Sequence, residues 1–266
     1  MKMRIKVAIS QLLFPYWILM RQTMIKIQPD RSLEKSMIVC AHPDDEALWF
    51  SSILCQVNGV VICYQKVASN EVWSSGRKRS LLHYPIKNVS SLEVVESEVF
   101  NNDNYREPEL TGYGLKIKRD SISADKYKEN FITIKSALKE KLFGCQNVYT
   151  HNPWGEYGNE EHVQVYKAVK DLQQEFKFNL WFSNYCSEKS IDLLKKTINL
   201  CSTQKNTKRT DRITCRYIKH HYRKNRCWTW FNDWTGFREE SFIKIHSAHK
   251  DNRSSHSLLP LNMVRW

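Results

Sequence analysis

The segment Met37-Ile38-Val39-Cys40-Ala41-His42-Pro43-Asp44-Asp45-Glu46 changes character in a single step, from small and apolar residues to a histidine, a proline and three acids. A short apolar run with β-branched residues predicts a buried strand, and the polar cluster after it predicts a loop. Past Pro43 the acids come first, followed by Ala47, Leu48, Phe50, Ile53 and Leu54. That order predicts a helix over 45–55 with its acids in the first turn, where the helix dipole favours them. Strand, loop and helix together open a βα unit.

Working outward, Val60-Val61-Ile62-Cys63-Tyr64 follows at the spacing of a second parallel strand. Residues 69–79 are polar and read as loop. Ser123 is placed to cap a helix running to about residue 143, since Tyr127, Phe131, Ile134 and Leu138 share one helical face and read as core. Residues 147–150 predict a strand and 151–161 a Gly- and Pro-bearing loop. A helix resumes at His162 with Val165, Val169 and Leu172 inward, and 180–182 predict a late strand. Beyond about residue 200 the chain turns basic and Trp-rich without clear periodicity, and Trp228, Trp230 and Trp234 read as core. The expected class is α/β, a mostly parallel sheet with helices on both faces. The expected divisions are an N-terminal apolar segment over 1–30, a main domain over 31–200 and an extension over 201–266 packed on the same domain.

Composition bounds the rest. A chain of 266 residues with 41% apolar residues, eight Gly and seven Pro suits one folded core rather than a disordered or fibrous chain. The formal net charge of +13 attracts anions in general. Nine Lys or Arg against one acid, Asp211, lie between Gln204 and Arg226. That block reads as a solvated face or loop, and no nucleic-acid partner is expected. The eight cysteines form no CxxC pair, which argues against a disulfide framework or a structural zinc site and fits a cytoplasmic protein. Residues 8–20 are mostly apolar behind Lys2, Arg4 and Lys6, but short of a ~20-residue membrane span and interrupted by Pro15. They read either as an element packed on the core or as an interfacial anchor using Phe14, Tyr16 and Trp17, with peripheral association at the inner face of the membrane.

Two polar clusters fall at the C-terminal ends of predicted strands, the edge where open parallel sheets bind ligands. One is His42-Pro43-Asp44-Asp45-Glu46 and the other is the loop 151–162, ending Tyr157-Gly158-Asn159-Glu160-Glu161-His162. His42 and Asp45 are three apart at a loop-to-helix junction, so both can turn to one point that the second loop brings His162 toward. Two imidazoles and one carboxylate leave a fourth position open, the pattern of a catalytic zinc site.

Ala41-His42-Pro43-Asp44-Asp45-Glu46 resembles the signature of the PIG-L/LmbE-like family of zinc-dependent de-N-acetylases, and Tyr157 to His162 resembles part of that family's second motif. The likeness runs over roughly residues 35–185. It implies a Rossmann-like fold, zinc held by His42, Asp45 and His162, and Asp44 as the general base. It implies removal of the acetyl group from an N-acetylglucosamine-like sugar in a glycoconjugate or surface-polysaccharide intermediate, releasing acetate and a free amino sugar. The chemistry agrees: zinc lowers the pKa of bound water from 15.7 to about 7, and a carboxylate beside it can take the proton and return it to the departing amine.

The second motif departs from the family at Asn159, where a histidine commonly helps stabilise the oxyanion. An Asn amide donates a hydrogen bond but transfers no proton, so slower turnover is expected, or help from another donor such as His151. Arg77 and Arg79 lie where the family often places a substrate-contacting arginine, and Arg77 is taken as substrate-binding, the other reading being exposed loop charge. Trp154 and Tyr157 are candidates to stack on a sugar ring or simply to pack. The rival reading is a noncatalytic glycan- or nucleic-acid-binding protein that uses the basic C-terminal region.

Overall fold

A computed structural model of the chain describes residues 33–86, 88–101, 105–118, 120–246 and 259–265. The expectations for 1–30, including the interfacial anchor, lie outside the described residues. Among the described residues no helix is long and apolar enough to cross a membrane.

Strand β1 (Ser36–Cys40), helix α1 (Asp45–Trp49), strand β2 (Gly59–Lys66), helix α2 (Glu71–Leu82) and strand β3 (Val89–Val95) form the first half of the fold. A hairpin of β4 (Leu110–Thr111) and β5 (Gly114–Leu115) precedes the long helix α3 (Ser121–Leu142). Then follow β6 (Asn147–Thr150), α4 (Glu160–Phe176), β7 (Asn179–Ser183), β8 (Tyr185–Ser187) and α5 (Ile191–Thr197). Strand β9 (Cys201–Arg209), helix α6 (Arg212–Lys224), strand β10 (Glu239–Ile245) and strand β11 (Asn262–Val264) complete the chain.

Seven strands make the central sheet in the order β3-β2-β1-β6-β7-β10-β9. The first five are parallel, whereas β10 runs antiparallel to both β7 and β9. The fold is therefore α/β with a mostly parallel sheet. The chain builds outward from β1 through β2 and β3, then returns to the other side of β1 with β6. That reversal between β1 and β6 is a topological switch point, where loops diverge and leave a crevice.

Alternation along the strands splits the core in two. Val39, Val61, Cys63 and Val148 face one layer with Phe131, Ile134 and Leu138 of α3 and Val165, Val169 and Leu172 of α4. Ile38, Cys40, Val60 and Ile62 face the other with Ala47 and Leu48 of α1 and Ile218 and Tyr222 of α6. All eight cysteines are free thiols, six of them buried.

Several local expectations are corrected. The helix after Pro43 stops at Trp49 instead of reaching residue 55. Phe50 leaves helical geometry at φ −136° and ψ 17°, and just beyond it Ser51 Oγ donates to Glu240 Oε1 at 2.7 Å while the backbone N–H and hydroxyl of Ser52 donate to Glu240 Oε2, at 3.0 and 2.6 Å. Most of the expected loop at 69–79 is helix α2, capped by Asn70, whose side chain accepts from Trp73 N–H at 3.0 Å. Its Gly76 is there for a close approach: a Cβ would lie 2.4 Å from the Asn225 carbonyl oxygen. Helix α3 is capped by Asp120, not by Ser123, whose N–H donates to the Asp120 carboxylate at 2.6 Å. The region after residue 200 supplies two strands of the main sheet and helix α6, so it is built into the same core.

Candidate metal centre

The loop after β1 and the loop after β6 meet at the switch point. His42, Asp45 and His162 are all buried there. His42 Nδ1 lies 3.3 Å from His162 Nε2 and 3.5 Å from Asp45 Oδ2, and His162 Nε2 lies 3.4 Å from the same oxygen. Three donor atoms thus form a nearly equilateral triangle. Ligands at the usual zinc bond lengths of ~2.0–2.2 Å in a tetrahedron sit about 3.3–3.6 Å apart, so the triangle has the size that a zinc-type ion requires.

The nitrogens turned away from the triangle are also held. His42 Nε2 bonds Glu161 Oε2 at 2.8 Å, and His162 Nδ1 bonds Glu156 Oε2 at 2.8 Å. Each imidazole is anchored by a carboxylate, which fixes the tautomer and aims the other nitrogen inward. Glu156 is the hub of its loop: Oε2 also meets His151 Nδ1 at 3.0 Å, while Oε1 accepts from Ser183 Oγ at 2.5 Å and from Asn152 N–H at 3.0 Å. His151 Nε2 accepts the Ala41 N–H at 2.8 Å. The same nitrogen lies 3.4 Å from Asp45 Oδ2, and His151 with Glu156 and His162 forms a second group of donors close enough together to hold a cation.

Gly155, at φ 70°, lets the loop fold so tightly that a Cβ there would meet the Asn159 carbonyl oxygen at 2.4 Å. Asn159 then caps α4, its Oδ1 accepting from Glu161 N–H at 2.9 Å and His162 N–H at 3.4 Å, while Nδ2 donates to the Tyr157 hydroxyl at 3.0 Å. The helix starts at Glu160, two residues earlier than His162.

Asp44 has φ 110° and ψ −23°, a conformation that L side chains rarely adopt. Its Oδ2 accepts from the backbone N–H of Thr229 at 3.0 Å and from the Thr229 hydroxyl at 2.7 Å. Glu46, next in the acidic run but one, accepts from the hydroxyls of Tyr84 at 2.5 Å and Tyr222 at 2.9 Å and from the Asp44 N–H at 3.1 Å.

Charge is concentrated here. Burial, helped by neighbouring Asp45, pushes the Asp44 carboxyl up to about 8, against the bonds from Thr229. Burial acts the same way on Asp45, but the histidines around it, with His151 and His42 raised to about 9 and 10 and so carrying charge, override it and hold Asp45 well below the usual carboxylate range. Burial lowers His162 to about 4, keeping it a neutral imidazole. Burial would also lower His42, but its bonds to Asp45 and Glu161 win and raise it to about 10. His42, Asp45 and His162 would hold a cation in their deprotonated forms, so the His42 proton would leave on binding.

Of the expected substrate contacts, Trp154 is corrected, while Arg77 proves to be buried and not an exposed loop charge. Arg77 is buried on α2, its Nη1 paired with Glu96 Oε1, and that same oxygen lies 3.6 Å from His42 Nε2. The guanidinium is directed at the acids around His42, beside the centre. Trp154 is fully buried, packed edge-on against Phe182, with its indole N–H donating to the Tyr185 carbonyl at 2.7 Å, so it is a core residue. Tyr157 does border the centre, its ring edge-on to His162 at 5.3 Å and packed against Trp49, Trp230 and Phe100. Glu156, Glu161, Glu96 and Thr229 were not singled out as site residues from sequence. Glu156 and Glu161 lie inside the second polar loop, whereas Thr229 carries no local signal at all.

No protein-family model matches the chain. The chain is similar to an uncharacterized protein of Acanthamoeba polyphaga mimivirus, 24% identical over 209 residues, which is 74% of this chain and 82% of the relative. Among solved structures, a deacetylase-bog complex from the biosynthesis pathway of teicoplanin superposes with a TM-score of 0.50 at 12% identity, covering 79% of this chain and 97% of that one. The zinc-inhibited form of a teicoplanin deacetylase gives the same TM-score, identity and coverage. At that identity the likeness shows a shared deacetylase-type fold.

Proposed function

We propose that this chain is a zinc-dependent amide hydrolase that removes the acetyl group from an N-acetylglucosamine-like sugar carried on a glycoconjugate. The observation that carries this reading is the triangle of His42 Nδ1, Asp45 Oδ2 and His162 Nε2, with edges of 3.3 to 3.5 Å. Two neutral imidazoles and a carboxylate with an open fourth position are the donor set of catalytic zinc, and the deacetylase-type fold and the likeness of the two motifs support the same chemistry.

Zinc held by His42, Asp45 and His162 would supply Lewis acidity for the amide carbonyl and would lower the pKa of a water to about 7. The chain's own residues do the rest. Asp44, beside the ligand Asp45 and held by Thr229, accepts the proton of the attacking water and later delivers it to the departing amine nitrogen. Burial raises its carboxyl above the ordinary carboxylate range, the direction that suits a group which must both take and give a proton. Asn159 keeps a second amide proton beyond the one given to Tyr157, and we assign it to the oxyanion of the tetrahedral intermediate. Tyr157 forms the wall beside His162.

The test is metal content and acetate release measured together over a panel of N-acetylhexosamine conjugates. Asp44→Asn should keep its metal and lose acetate release by roughly 10²–10⁴-fold. Full activity in that variant, or a purified chain that takes up no divalent metal, would sink the reading.

A further inference from the structure

The basic block at residues 204–226 takes no part in the metal centre, and the structure gives part of it a definite shape. Where β9 turns into α6, a cavity of about 470 Å³ is lined by Ser52, Gln56, Arg209, Thr210, Arg212 and Arg238, with Asp211 and Ile213 completing the wall. That volume lies in the range of small-molecule sites. The cavity sits at the start of α6, and the chain just past the other end of the helix reaches Asp44 through Thr229. Thirteen helical residues separate the two ends, about 20 Å at the helical rise, so the cavity is distinct from the metal centre.

The lining holds three arginines, Arg209, Arg212 and Arg238, against one acid, Asp211. The Asp211 carboxylate is turned to its own helix: Oδ1 accepts from Ile213 N–H at 3.2 Å and Thr214 N–H at 3.1 Å, and Oδ2 from Thr214 Oγ1 at 3.0 Å. Arg209 and Arg238 make no ion pair among the described residues, not even with Glu239, the register partner of Arg209. Among the described residues, the Arg212 guanidinium donates to the Gly236 carbonyl, at 3.5 Å. Thr210 is 7% exposed and its hydroxyl has no hydrogen-bond partner among the described residues. A cavity with an excess of arginines and an unspent buried hydroxyl is matched by a compact dianion, because planar guanidinium forks pair with phosphate oxygens two at a time.

We propose that this cavity binds a small phosphorylated molecule of sugar-phosphate size. A concave wall built from three separate segments favours such a ligand over a polymer tracking along a surface. The proposal does not depend on the metal centre being catalytic.

Calorimetric titration of the full chain with glucose 6-phosphate, with glucose as the uncharged twin, tests it before and after metal is stripped by a chelator. The phosphate ester should bind in both states and glucose in neither. Exchanging Arg209→Gln together with Arg238→Gln should weaken binding roughly tenfold or more, while Arg223→Gln, exposed on α6 beyond the cavity, should leave it unchanged. Because all three are exposed arginines, the variants should melt like the parent chain. No binding by the parent chain, equal binding by the double variant, or equal weakening by Arg223→Gln overturns the proposal, the last by showing diffuse charge attraction. Binding lost with the metal also overturns it, by placing the ligand at the metal centre. A single-stranded oligonucleotide that competes, with a steep salt dependence that Arg223→Gln relieves, would replace the cavity with a polyanion track.

Discussion

At the scale of single residues, the centre depends on how acids are shared out. Glu156 is fully buried and ties His162, His151, Ser183 and the loop backbone together. Burial would raise its carboxyl, and the two histidines hold it down at about 2 instead. Replacing Glu156→Gln keeps the volume but removes the charge that orients His162, and removing an outer-shell carboxylate of this kind typically lowers metal affinity by about 10–100-fold. Competition with a chelating dye measures this directly, and an unchanged affinity would show that Glu156 is only scaffolding. Thr229 is the other residue whose weight exceeds its visibility. Thr229→Val removes the hydroxyl bond to Asp44 but keeps the backbone one, so kcat should fall roughly five- to tenfold, about 1 kcal/mol, with KM unchanged. A change in KM alone would mean that Thr229 touches substrate and does not position Asp44.

At the scale of elements, the pairing of α3 with α4 supplies the cleanest pH effect, because it lies away from the metal ligands. Asp171 on α4 accepts from Lys135 on α3 at 2.8 Å and from Lys167 one turn back on its own helix. Burial alone would raise the Asp171 carboxyl, but the two ammonium groups prevail and hold it below its ordinary value. A carboxyl depressed by folding contributes stability that is present above its unfolded pKa and disappears as pH falls through the folded value. Solvent screening keeps the contribution of such pairs to about 0.2–1 kcal/mol. Asp171→Asn should therefore be less stable than the parent chain at neutral pH by that amount, and the two urea unfolding curves should converge as pH drops below ~4. A gap that persists in acid would point to lost packing in place of lost charge.

The periodic faces of α3 and α4 were legible in sequence, since Tyr127, Phe131, Ile134, Leu138, Val165, Val169 and Leu172 repeat at helical spacing and are all buried. Helix α2 was not. Its residues Glu71 to Leu82 have no apolar stripe, and Val72, Trp73 and Leu82 remain exposed. What holds it is tertiary: Gly76 against the end of α6, and Arg77 against Glu96.

At the scale of the molecule, the C-terminal third is part of the main sheet. Phe242 of β10 is fully buried, stacked on Phe50 and edge-on to Tyr149, while Ile243 and Ile245 face the opposite core layer. Phe242→Ala should cost about 3–5 kcal/mol and lower the midpoint of a single cooperative unfolding transition. Two separated transitions, with the metal centre surviving the first, would show instead that the C-terminal strands fold as an appendage.

The sequence by itself determined the opening strand, the two polar loops and the α/β class, because apolar runs and helical periodicity are local patterns and His42, Asp45 and His162 fall within the two polar loops that end predicted strands. Only the tertiary structure decided the inward turn of Arg77 and Trp154, the pairing of Ser51 and Ser52 with Glu240, and the hold of Thr229 on Asp44. Each of those depends on a partner more than eighteen residues away, and pairing across that distance is chosen by packing and by the need to satisfy buried charge, which no local pattern records.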